Sequence, residues 1–372
     1  MSKAERTRLC VGVDLHKHQF TTCAIEVDGG LVEHEAEYRT DVEGYQRFCD
    51  QLHRFETHKG YQIELAVETT GNAKYFKNRM EKEGFAVTVV NTNKFKVITL
   101  STKKTDASDA ATLAYYLMKE MLPASYLCDQ TSEEIRRVLK TRSILVSSTV
   151  KIKNQIHGMM LGYGIETKTA QFQSKKKRQE LLHDLADHGF SEFTASSLEV
   201  TLNILDNIYE QIKSCEKQLD EMLANDEAVR LLQTVPGIGP IGAATITAYT
   251  RDIERFDGDF KRFASYIGIV PSVHNSGDAI RLGKITKHGP QELRTAFVQV
   301  AMGWIRMPEK TAQWKVMSDY RTMKVNKGSG RAIIALTRKI ARIVFVMLNE
   351  QMEFNPARMA LAKQERISKK TN

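Results

Sequence analysis

The first third of the chain alternates between strand-like and helix-like hydrophobic patterns. Residues 8–14 (RLCVGVD) form a short apolar run, and 19–27 (QFTTCAIEV) form a second strand-like segment. Asp28-Gly29-Gly30 joins that segment to residues 31–38 as a hairpin turn would. Asp41 stands where an N-cap belongs, ahead of a helix expected over 42–58 with Tyr45, Phe48, Leu52 and Phe55 on one face. A buried-type strand at 62–68 (QIELAVE), a helix at 73–83, a strand at 86–91 and a helix over 105–121 complete the run. Three strands followed by β-α-β-α predict a mixed sheet with helices on its faces.

Beyond residue 131 the period becomes helical. Apolar residues at 198, 202, 205, 208, 212, 215, 219 and 222 recur in steps of three and four, close to a heptad seam. A long helical hairpin or an intermolecular coiled coil satisfies this pattern. The stretch SKKKR, at 174–178, reads as a basic loop between its arms. The last third opens with LLQTVPGIGPIG at 231–242 and passes through a Gly/Ser/Asn-rich stretch at 268–289. It closes with helices expected at 291–306 and 331–350 and a frayed polar tail from 354. The fold class is therefore α/β plus all-α. A mixed-sheet domain is expected at 1–125, a helical coiled-coil region at 126–226, a mostly helical domain with a helix-hairpin-helix at 227–355, and a polar tail at 356–372.

Composition narrows the class. Apolar residues make up 42% and charged residues 27%, as in a globular protein rather than a disordered one. No apolar run reaches the length of a spanning helix, and the polar start lacks a signal peptide, so the expectation is a cytoplasmic protein with no membrane partner. Five widely spaced cysteines, with no CxxC pair, argue against a disulfide framework or a zinc cage. Residues 1–125 hold 17 Lys and Arg against 18 Asp and Glu, while 126–372 hold 37 against 27. The basic surplus sits in the C-terminal two thirds, where it would attract a polyanion such as nucleic acid.

Four acids in the first domain carry candidate chemistry. Asp14 ends the first strand, Glu68 ends a later one, and Asp106 and Asp109 open a helix at i,i+3 spacing that shares one face. Hard divalent cations such as Mg²⁺ take a few carboxylates plus substrate phosphate, and paired ions can clamp a phosphoryl displacement. Alone, each acid is an ordinary strand-end or helix-capping carboxylate; their joint placement at element ends is what singles them out. Lys103 and Lys104 lie beside the Asp pair and are candidate phosphate contacts. In VPGIGPIG, Gly237 and Gly239 permit a tight turn through which backbone N–H groups approach a phosphate without reading sequence. The 268–289 stretch carries Arg281, Lys284, Lys287 and His288 just after Ser276-Gly277. A serine hydroxyl needs activation to act as a nucleophile. By spacing alone Ser276 reads as an ordinary loop serine; the other reading is that this flexible, cationic loop delivers it to a phosphate, although neither His274 nor His288 stands out as its base.

The order of VGVD, AVETTG and KKTDASDA resembles the RNase-H-like superfamily, in its Holliday-junction-resolvase (RuvC-like) branch. Together with VPGIGP, the whole arrangement over residues 8–350 resembles the DEDD–serine transposases of bacterial insertion sequences, described as bridge-RNA-guided recombinases. The resemblance implies that Asp14, Glu68, Asp106 and Asp109 form a metal-binding tetrad for Mg²⁺, with Mn²⁺ able to substitute. It implies that Ser276, with Ser272 as the weaker alternative, forms a 5′-phosphoserine intermediate. A guide non-coding RNA would read target and donor DNA by base pairing. Tetrad and serine would come from different subunits of a homo-oligomer, a dimer or a tetramer. Two other classes compete: a hydrolytic structure-specific endonuclease with no covalent intermediate, and a non-enzymatic nucleic-acid-binding scaffold.

Overall fold

Strand β1 (Arg8–Leu15) is apolar on both faces, as a central strand must be. Around it β2 (Gln19–Glu26), β3 (Leu31–Arg39), β4 (Gln62–Glu68) and β5 (Ala86–Val90) complete a five-stranded sheet of order β3-β2-β1-β4-β5. β2 is antiparallel to β1 and β3, whereas β1, β4 and β5 run parallel. The structure is a computed structural model, and it describes residues 7–28, 30–95, 106–183, 189–276 and 279–360. The chain divides into two compact units, Met1–Leu127 and Cys128–Asn372.

In the first unit, residues of alternate parity on β1 and β4 feed two separate cores. Leu9, Val11, Val13, Ile63, Leu65 and Val67 pack with Tyr45, Phe48, Leu52, Phe76 and Met80. Those aromatic and aliphatic side chains come from α1 (Val42–Lys59) and α2 (Ala73–Lys82). The Asp41 carboxylate caps α1 by accepting from Gly44 N at 2.9 Å. On the opposite face Cys10, Ala66 and Val90 pack with Phe95 of α3 (Thr92–Phe95) and with Leu113, Leu117 and Met118 of α4 (Asp106–Met118).

Helix α4 lies so close to β1 that a Cβ on Gly12 would stand 2.0 Å from Ala110 O and 2.5 Å from Ala114 N. No side chain fits there, so Gly12 sets the separation of helix and strand. At the other end Arg8 donates to Glu64 on β4 (2.8 and 3.0 Å) and to Glu120, just past α4, at 2.7 Å. Gly12→Ala should destabilise the protein by about 3 kcal/mol, the upper range for overpacking a tight contact. Urea unfolding checks this, and a midpoint within error of wild type would show that α4 can move away freely.

In the second unit, α5 (Gln130–Leu161) and α7 (Glu192–Leu223) form a helical hairpin. The heptad residues Leu198, Leu202, Leu205, Ile212, Cys215 and Leu219 are buried, and Arg142 of α5 pairs with Glu216 of α7 at 2.7 Å. The seam is thus satisfied within one chain, which removes it as a reason to expect an intermolecular coil. SKKKR is not a loop: α6 (Lys175–His183) begins within it. Arg178 is buried, paired with Asp206, donating to Phe172 O at 2.8 Å and stacked over Tyr209. A basic run reads as solvated in sequence, but this arginine fills a core position.

The remaining helices are α8 (Glu227–Gln233), α9 (Pro240–Thr250), α10 (Phe260–Ile267), α11 (Gln291–Arg306), α12 (Pro308–Thr311), α13 (Lys315–Lys327), α14 (Ser329–Glu350) and α15 (Pro356–Ala360). They share one core containing Phe263, Phe297, Trp304, Trp314 and Phe345. Between α10 and α11 the expected loop is instead a hairpin of β6 (Pro271–Ser276) and β7 (Ala279–Ile285). Residues 354–360, expected as the start of a frayed tail, are instead ordered against the core, and 361–372 lie outside the described residues. Phe354 packs on Trp304 and Trp314 and donates its N–H to Thr234 Oγ1, and Met359 lies against the same core.

Asp129 caps α5, accepting from Ser132 N (2.8 Å) and Ser132 Oγ (2.7 Å). Burial pushes its carboxyl up, but these hydrogen bonds and the Arg251 charge outweigh that and hold it below the ordinary value. A depressed folded-state pKa stabilises above the unfolded value and is lost as pH falls through the folded one. Asp129→Ala should therefore cost about 1 kcal/mol at pH 7, the usual worth of such a cap. That difference should shrink as pH drops below 4 in urea melts; a pH-independent difference would rule out the charged cap as its source.

Candidate active site

Asp14 shares the parity of Cys10 and Gly12 on β1, and Glu68 that of Ala66 on β4, so both stand on the sheet face that α4 covers. The strands are parallel and in register to Val13–Val67, so Asp14 and Glu68 follow at the same level, at the C-terminal strand ends. Ligand sites in such sheets gather at these ends. The direction of α4 follows from its two anchors. Its C-terminal side meets Arg8 through Glu120, and Ala110 and Ala114 meet Gly12, so the helix runs antiparallel to β1. Its first turn, bearing Asp106 and Asp109, is directed toward the Asp14 end of the strand.

His16 Nε2 lies 3.1 Å from Asp14 Oδ2, and Asn72 Nδ2 donates to His16 O at 3.0 Å, tying the strand end to the start of α2. Among the described residues no three carboxylate, imidazole or thiol groups converge as an ion-holding cluster. The Asp106 side chain lies outside that description, and so do Lys103 and Lys104. The donor type nonetheless suits a hard cation: Asp14, Glu68 and Asp109 offer carboxylate oxygens from strand ends and the first turn of α4.

In the second unit, Ser276 is the last residue of β6 and pairs with Ala279 of β7, while His274 pairs with Arg281. Gly277 lies outside the described residues. The base of the hairpin is fixed by Thr286 N donating to Val270 O (2.9 Å) and by the Arg294 guanidinium, which donates to Ile267 O and Lys287 O. Ser276 thus sits at the end of a strand ladder rather than on a flexible loop, with Ser272 at the half-buried start of the same strand. Lys284 and Lys287 are exposed. The Val235–Gly239 turn joins α8 to α9 with Val235 and Ile238 buried and Gly237 and Gly239 exposed. Gly237 has φ +87°, a left-handed conformation that only glycine adopts without cost. The buried Trp304 indole N–H donates to Pro236 O at 2.6 Å and holds the turn in place.

A sheet with acids at the ends of adjacent parallel strands and on a covering helix defines the RuvC-like class of DEDD proteins. Two family models match in order: an IS110-type DEDD transposase model over residues 11–165 and the transposase IS116/IS110/IS902 family over 229–315. The chain belongs to this IS110-type family of DEDD transposases. It is 25% identical over 344 residues to the transposase for insertion sequence element IS1111A of Coxiella burnetii, covering 92% of this chain and 90% of that protein. It is 22% identical to the transposase for IS1328 of Yersinia enterocolitica, covering 93% and 98%. It is also similar to the pilin gene-inverting protein of Moraxella bovis, at 23% identity over 93% and 97% of the two chains. Among the described residues, no helix is long and apolar enough to cross a membrane.

Gly237→Ala should cost about 1 kcal/mol because alanine is strained in the left-handed region. Gly239→Ala should be near neutral, since its φ is negative and a Cβ there meets open space. Urea midpoints for both variants check the contrast; equal midpoints would mean that the turn relaxes to a negative φ.

Proposed function

We propose that this transposase cuts and rejoins DNA under the guidance of a non-coding RNA, using Asp14, Glu68, Asp106 and Asp109 to hold Mg²⁺ and Ser276 as nucleophile. The observation that carries the reading is the placement of Asp14 and Glu68 side by side on the α4 face, with α4 running so that its Asp-x-x-Asp turn points to the same end. Divalent metal at such carboxylates neutralises charge on a phosphate undergoing displacement. The Ser276 hydroxyl oxygen attacks phosphorus, forming a 5′-phosphoserine ester as the bond to the 3′ oxygen breaks. That oxygen leaves as a 3′-hydroxyl carrying the serine proton, and its return attack restores a DNA linkage and the free serine. His16 orients Asp14, and Arg294 holds the base of the strand pair that presents Ser276.

The basic surplus lies in the part of the chain that carries Ser276, in keeping with contact to phosphate backbone. On this reading residues 1–125 form the catalytic acid domain, 126–226 a helical connector, and 227–355 the domain of the hairpin and serine. Gly237, Gly239, Arg281, Lys284 and Lys287 contact nucleic-acid backbone, and the protein acts as a dimer or tetramer on target and donor DNA in the bacterial cytoplasm. The oligomer needs an interface other than the α5–α7 seam, which is filled within the chain.

A suicide DNA substrate, supplied with Mg²⁺ and the RNA that co-purifies with the protein, tests the reading. Wild type should form a covalent protein–DNA adduct that falls at least about a thousandfold in Ser276→Ala, as loss of a nucleophile does. Nicking that persists in Ser276→Ala but disappears in Asp14→Ala would replace the recombinase with a hydrolase. No cleavage by wild type would leave a binding scaffold. Asp109→Ala should abolish strand transfer while RNA affinity stays within about twofold, and parallel loss of RNA binding and folding would make that acid structural.

A further inference from the structure

Helix α14 carries four cations, Arg331, Arg338, Lys339 and Arg342, and one anion, Glu350 in its last turn. Arg331, Arg338 and Arg342 follow one another at seven and four residues. At 3.6 residues per turn they fall on a single stripe spanning about 16 Å of helix. Several helical cations elsewhere are neutralised one turn away: Lys77 by Glu81, Arg137 by Glu133, Lys217 by Glu221 and Arg230 by Glu227. Among the described residues, none of the three stripe arginines is paired with a carboxylate.

The neighbouring acids are already engaged. Asp319 on α13 is held by Lys315 and Lys339, Asp257 by Arg262, and Asp259 caps α10 by accepting from Lys261 N. What the stripe meets instead is a ring. The guanidinium carbons of Arg342 and Arg338 lie 5.0 and 5.9 Å from the centroid of Phe260 on α10. A guanidinium resting on an aromatic face keeps its N–H edge turned outward and loses little freedom when that edge binds. Arg331 and Arg342 are exposed.

We propose that the Arg331, Arg338 and Arg342 stripe, whose last two guanidiniums rest on Phe260, is a track for the phosphodiester backbone of a nucleic-acid duplex. Arginine offers a planar fork that matches two phosphate oxygens at once. Sixteen ångströms corresponds to about five nucleotides of one strand along a duplex axis. The contact is to backbone, so it positions the duplex without reading its sequence. The proposal rests on the reading of the chain as a nucleic-acid enzyme, but not on which residues hold metal or attack phosphorus.

The test is an anisotropy titration of full-length protein with labelled duplex DNA of two unrelated sequences and with duplex RNA, across a salt series without divalent metal. Arg331→Gln, Arg338→Gln and Arg342→Gln are compared singly and combined with wild type and with Asp14→Ala. Each glutamine should lower the slope of log K against log salt by about 0.9, equally for both DNA sequences. A triple Arg331→Lys, Arg338→Lys, Arg342→Lys variant, which keeps the three charges, should keep the wild-type slope. A loss confined to DNA or to RNA assigns the source of the backbone. An unchanged slope in the triple glutamine variant, with wild type and Asp14→Ala binding normally, overturns the track alone. Absence of binding by wild type to every duplex overturns both the track and the nucleic-acid reading on which it rests.

Discussion

The contact between the α4 backbone and β1 at Gly12 governs the first unit. A Cβ at that position would overlap Ala110 O and Ala114 N, so the helix rests on the strand with no side chain between them. Because the far end of α4 is tied through Glu120 to Arg8, which also grips Glu64 on β4, the helix has one direction and one depth. Those two constraints decide which end of the sheet receives Asp106 and Asp109. Acid positioning in this domain is therefore a consequence of close packing, with the charged groups placed at the margin of an apolar contact.

The second unit places its strand pair and its glycine turn by similar means. The strand pair that ends at Ser276 is held at its base by backbone hydrogen bonds and by Arg294, and the Gly237 turn is held by Trp304 from inside the core. Both are held from their bases or from the core behind them. The basic residues divide likewise: Arg178 is consumed in a core, whereas on α14 Arg338 and Arg342 stack on the Phe260 ring and, among the described residues, pair with no carboxylate.

Much of this was legible in the chain before any coordinates. Period-two runs located β1 to β5 within a residue or two, Asp41 marked the start of α1, and the 291–306 helix was bounded as found. The strand pair at 271–285 was not, because a Gly/Ser/Asn-rich segment with little alternation carries no strand signal when pairing alone stabilises it. The helical character of 175–183 was hidden for a related reason: a run of lysines reads as solvated until Arg178 finds Asp206, Phe172 O and Tyr209 together. Phe354 likewise looked like part of a tail because nothing nearby in sequence shows that two tryptophans wait for it.

The amino-acid order by itself determined most of the element types and the α/β-plus-helical fold class, and it singled out the candidate acids, since periodicity and motif spacing are local properties. It did not determine that Asp14 and Glu68 share a face with α4, that the heptad seam closes within one chain, or that the acids near the α14 arginines are engaged by other cations. Each of those depends on which distant segments come into contact, and only the packed chain decides that.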